Sequence, residues 1–205
     1  MKTPAASYRL AIAVRYWHAA RIIIENQIRP IEFMEPTGHL LGMCAELSLK
    51  AFLTDRGVSD KELSSRQLGH DLGSCLRWAI ERGLEVSELE AKCVLNMREG
   101  HQMHFNRYGP KARDGLLQLG AFPAVDEALS LARLAMLIDR VSGDPLKLRE
   151  RWQHPSNLDW PQTLPLLAYV DLGKLQELER QRNGEMRRLE DLNKQFTAQG
   201  IRFSD

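Results

Sequence analysis

The chain has 205 residues, 43% of them apolar, enough to fill one substantial core, which excludes disorder for most of its length. Its 28 Lys and Arg balance 27 Asp and Glu, and the formal net charge of +1 gives no global pull toward nucleic acid or anionic membrane. Any nucleic-acid contact therefore has to come from a local patch.

Cys44, Cys75 and Cys93 form no C-x-x-C, and each sits in an apolar helical pattern that suits a small buried thiol, as in a reducing cytosol. Arg9, Arg15 and Arg21 break up the first segment, so it lacks the apolar stretch of a signal peptide. No run approaches the ~20 apolar residues of a membrane span. The expectation is a cytoplasmic chain with no membrane partner.

Leu10, Val14, Trp17, Ala20, Ile24 and Ile28 recur at three- and four-residue steps and predict an amphipathic helix over residues 8 to 27. Pro30 and Pro36 punctuate a loop. Leu40, Cys44, Leu47 and Ala51 then repeat the spacing up to Arg56, with Gly57 as C-terminal cap; Leu41, Leu49, Phe52 and Leu53 make this second helix apolar around much of its circumference, as a helix through the core would be. After a polar loop, His70-Asp71 opens a third helix carrying Leu72, Leu76, Ala79 and Ile80, which Gly83 stops. Ser87 and Glu90 make a capping box for a fourth helix bearing Leu89, Cys93 and Met97, with His101 or His104 on the same side and Gly100 weakening its far end.

Residues 106 to 110 read as a turn, and Pro123 can open a fifth helix with Val125, Leu129, Ala132 and Met136 aligned, ended by Gly143 and Pro145. Beyond residue 150 the composition changes. Three regions result: a helical domain over 1–145, an irregular Pro- and Trp-containing linker over 146–171, and a charged C-terminal helix over 172–205. In that last segment Leu175, Leu178, Leu189, Leu192 and Phe196 fall at heptad positions, while Arg182, Glu185 and Gly184 interrupt the seam. A helical pair or dimer arm and a single solvated helix, broken at Asn183-Gly184, both remain open. No repeat and no strand pattern of more than marginal length is present. The fold class is all-α.

The order of a long first helix, Gly38-His39-Leu40 leading into Glu46-Leu47-Ser48-Leu49-Lys50-Ala51-Phe52-Leu53, then Gly69-His70-Asp71-Leu72, then a helix ending in His104-Phe105-Asn106-Arg107-Tyr108, resembles the bacterial HEPN-like helical proteins over about residues 8 to 140. The resemblance implies a bundle of four to five helices, often a homodimer, of a kind found in nucleotide-binding, RNA-binding and RNA-cleaving proteins of stress, toxin and defence systems. Active ribonucleases of that superfamily carry an Arg, a four- to six-residue spacer and a His. Arg98 and His104 match with five residues between them, and Glu99 stands where Asn or Asp is usual.

A His can act as general acid or base in metal-independent RNA cleavage, and an Arg can stabilise charge on the phosphorus centre. Six positions along a helix amount to about 240° of rotation, so Arg98 and His104 diverge unless the helix ends or bends near Gly100, or two subunits combine. The competing reading makes Arg98 a surface residue and His104 a partly buried one. His101 and His104 have usable metal-ligand spacing, but no third ligand of comparable spacing accompanies them, and no metal is assigned.

His70 and Asp71 could form a dyad at a cleft, or Asp71 could simply cap the helix while His70 packs across a neighbour. Glu46 and Lys50, four apart, fit an intrahelical ion pair, and their apolar setting favours a buried one. Arg107 and Tyr108, with Arg113 nearby, offer a guanidinium and an aromatic plane for a base or phosphate. Gly-rich phosphate loops, Gly-x-Ser-x-Gly and an activated cysteine are missing, and no cofactor is expected.

Three readings follow from these residues and the resemblance. One is a non-catalytic HEPN-like protein binding RNA, a nucleotide or a protein through residues 98 to 113. Another is a metal-independent endoribonuclease toxin using Arg98 and His104, and the last is a scaffold whose tail, 172–205, docks a protein partner.

Overall fold

The computed structural model describes residues 2–29, 32–102, 111–113, 116–118, 126–143 and 169–198. Seven helices lie among them: α1 (Pro4–Asn26), α2 (Met34–Asp55), α3 (Asp60–Leu63), α4 (Leu72–Glu81), α5 (Glu88–Gln102), α6 (Glu127–Ser142) and α7 (Leu172–Ala198). The expected all-α character holds. One departure is a short antiparallel pair, β1 (Lys111–Arg113) with β2 (Leu116–Gln118), too brief to leave a period-two pattern.

The predicted helices are present, with shifted ends. α1 begins four residues early because Thr3 caps it, its side-chain oxygen accepting from the Ala6 N–H at 3.2 Å, with Pro4 in the first helical position. α2 begins six residues early: Pro36 lies in its first turn, where a missing N–H costs nothing. Gly57, Gly83 and Gly143 follow the ends of α2, α4 and α6 at positive φ, as C-terminal caps require. The α3 turn, closed by a Ser59–Glu62 capping box, falls in the stretch that the sequence presents as a polar loop.

α2 is the core helix, in contact with α1, α4, α5 and α6. Leu41, Cys44, Leu49, Ala51 and Leu53 are fully buried in it. Trp17 of α1 is also fully buried, and its indole N–H donates to the Leu131 carbonyl of α6 at 2.8 Å, so the largest core side chain meets no unsatisfied polar cost. Ile28, placed by periodicity on the buried face of α1, lies past its end and is 90% exposed.

α5 runs through Gly100 to Gln102 without breaking. His101, only 2% exposed, anchors that last turn by tertiary contact, which outweighs glycine's roughly 1 kcal/mol helix penalty. At its other end, Ser87 and Glu90 make the predicted reciprocal capping bonds, and Glu90 also accepts from Nε of Arg140 in α6 at 2.6 Å.

α7 is one continuous helix through Asn183-Gly184, the point at which the single-helix alternative allowed a break. The Val170 N–H donates to the Val86 carbonyl at 2.9 Å, which lays the segment before α7 against the one before α5. Leu175 and Leu178 are then buried in the same core as α1 to α6, whereas most described side chains past residue 183 are exposed. The helix is thus half packed and half solvated. Among the described residues no helix is long and apolar enough to cross a membrane.

Candidate functional site

Three elements converge on Glu46, in the middle of α2. Its Oε1 accepts from Nζ of Lys50, one turn on, at 2.8 Å, and Lys50 also donates to the Gly69 carbonyl at 2.5 Å. Its Oε2 accepts from Nδ1 of His70 at 2.9 Å and from Nε2 of His101 at 2.6 Å. Glu46 is 4% exposed, so the three hydrogen bonds its carboxylate accepts replace the water lost on burial.

Burial alone would raise the Glu46 pKa, but the hydrogen bonds from His101, Lys50 and His70 more than reverse it, holding the carboxyl down at about 2. With the carboxylate ionised, the ring nitrogens facing it carry the hydrogens. In a neutral His101 this leaves the lone pair on Nδ1, a buried atom without a hydrogen-bond partner. That atom faces Gly42: a Cβ built there would come within 2.5 Å of it. Glycine at this position is what lets the imidazole lie against α2.

Beside this cluster, Asp71 caps α4, accepting from the Gly73 N–H at 3.0 Å and from the Ser74 hydroxyl at 2.9 Å. The same carboxylate takes both arms of Arg98 from α5, Nε at 2.8 Å and one terminal nitrogen at 3.0 Å. Burial works to raise the Asp71 pKa, and the Arg98 guanidinium outweighs it, so the carboxyl sits below its ordinary value. Glu99 turns to the other side and accepts from Arg182 of α7 at 2.9 Å.

The sequence candidates therefore divide. Glu46, Lys50, His70, Asp71 and Arg98 come together from α2, the turn and N-cap before α4, and α5, the first two as the buried i, i+4 pair that their setting suggests. Asp71 both caps and pairs. His104, Arg107 and Tyr108 lie outside the described residues; Arg113 is placed in β1 by its backbone alone.

His101 belongs to the cluster, though its spacing to His104 is what drew attention in the sequence. Its neighbours in the fold are Glu46 and His70, 55 and 31 positions away in the sequence, where no local motif can announce them. The one legible trace is Gly42, a helix-interior glycine one turn before Glu46. No protein-family model, curated protein or solved structure matches this chain significantly.

Proposed function

We propose that the chain is a non-catalytic helical protein of the HEPN-like type that binds RNA through the part of the 98–113 region that carries Arg107, Tyr108 and Arg113. The observation that carries this reading is the engagement of Arg98. A guanidinium paired through two nitrogens with Asp71 is committed to joining α4 and α5, and is poorly placed to take up charge on a phosphate. Its neighbour Glu99 is likewise committed, to Arg182. The first two residues of the Arg-x5-His spacing thus serve helix packing, which favours binding over cleavage.

Contact with RNA then falls to Arg107, Tyr108 and Arg113, whose types suit phosphate pairing and base stacking. Polarisation of a labelled single-stranded RNA of about 16 nucleotides, in EDTA, tests this. The expected result is saturable binding that weakens with salt, with Tyr108→Ala costing about 1–3 kcal/mol. An absence of binding at low salt contradicts it.

A further inference from the structure

Glu46 of α2, His70 of the turn before α4 and His101 of α5 offer Oε2, Nδ1 and Nε2, and these three atoms lie within 4.8 Å of one another. We propose that they form a site for one divalent transition-metal ion of the zinc type, with an open fourth position. This goes beyond the RNA-binding reading and does not depend on it.

The donor set selects the class of ion. Two imidazoles and one carboxylate suit zinc and its neighbours, whereas magnesium and calcium take oxygen ligands. Zinc donors stand about 2.0–2.2 Å from the metal, so donors at tetrahedral angles are roughly 3.3–3.5 Å apart. Oε2 is now 2.9 Å from His70 and 2.6 Å from His101, where hydrogens occupy the place of the ion. Admitting the metal requires each imidazole to withdraw from Oε2 by less than about 1 Å and the two ring nitrogens, within 4.8 Å of one another, to settle at the same spacing.

Each neutral ring binds as its other tautomer. The proton of His70 moves to Nε2, and that of His101 moves to Nδ1. Because Nδ1 of His101 has no hydrogen-bond partner, the change of tautomer gives up no bond there.

Lys50 occupies Oε1 of Glu46, which limits the carboxylate to one metal bond through Oε2 and fixes its orientation as an outer-shell partner does. The His70 side chain is 44% exposed, so it supplies the route of entry and leaves room for a water at the fourth position, while His101 is shut off from solvent.

The test uses the full chain, stripped with EDTA and freed of chelator. Zinc is titrated against a chromophoric competitor, and cobalt is added separately to read its visible absorption. One zinc per chain, a cobalt band of four- or five-coordinate intensity, and affinity at least about tenfold weaker in His70→Ala are expected. His70→Ala changes the exposed ligand and keeps the buried ones, so folding is preserved; Glu46→Gln, checked for folding by circular dichroism, should lose the cobalt band. Failure of wild type to bind zinc stoichiometrically, or equal affinity in His70→Ala, overturns the site.

Discussion

Arg98 and Asp71 form a two-pronged ion pair, 2.8 and 3.0 Å long, in which the acceptor is also the N-cap of α4. The two functions can be separated, because Asn caps a helix about as well as Asp yet carries no charge. Asp71→Asn should therefore destabilise chiefly through the lost ion pair, and a double-mutant cycle with Arg98→Ala should return a coupling of about 0.5–3 kcal/mol. Additive effects in urea unfolding would show that Arg98 is not tied to Asp71 in solution.

Glycine substitutions should have opposite signs in two helices. At Gly42 a Cβ would stand 2.5 Å from a ring already fixed by Glu46, so Gly42→Ala should cost about 1–3 kcal/mol despite Ala's higher helix propensity. At Gly184, in α7, a Cβ meets nothing within 4 Å, and Gly184→Ala should stabilise by up to about 1 kcal/mol. Thermal melts of the two variants check both.

Acid should attack the cluster in a defined window. The Glu46 carboxyl is held at about 2 in the folded chain against an ordinary 4.5, so its contribution is complete above pH ~5 and is lost as pH falls toward 2. In EDTA, Glu46→Gln should show a flatter fall of stability over this range than wild type. Superimposable pH profiles after offset would remove Glu46 from the acid response.

α7 should be divisible. Leu175 and Leu178 are each buried, at about 1.5–3 kcal/mol apiece, so truncation after Asp171 should sharply lower the melting temperature. Truncation after Asn183 should lower it much less. A protein partner docking on the tail would have to use the part beyond residue 183.

The helices were legible because their apolar residues keep a period near 3.6, and their ends because Ser87, Asp71, Gly57, Gly83 and Gly143 are chemically suited to caps. Their exact starts were not, since Pro36 reads as a loop residue unless its place in a first turn is known. Gly100 and Gly184 read as weak points, yet His101 buried against Glu46 carries α5 past the first, and α7 continues through the second with side-chain bonds such as Gln181 to Glu177 on one side and Lys194 to Asp191 on the other. Within the candidate site, the Glu46–Lys50 pair is local and could be read directly. The meeting of Glu46, His70 and His101 is a product of packing, and Arg98's partner is Asp71 rather than anything on its own helix.

The most direct test of the binding reading is incubation of intact single-stranded RNA with purified wild-type protein and with His104→Ala, both in EDTA, followed on a denaturing gel. The account predicts RNA left uncut in both samples, with the same RNA bound by wild type when polarisation is read before denaturation. RNA cut by wild type and spared by His104→Ala would contradict it and make the Arg98 and His104 pair catalytic.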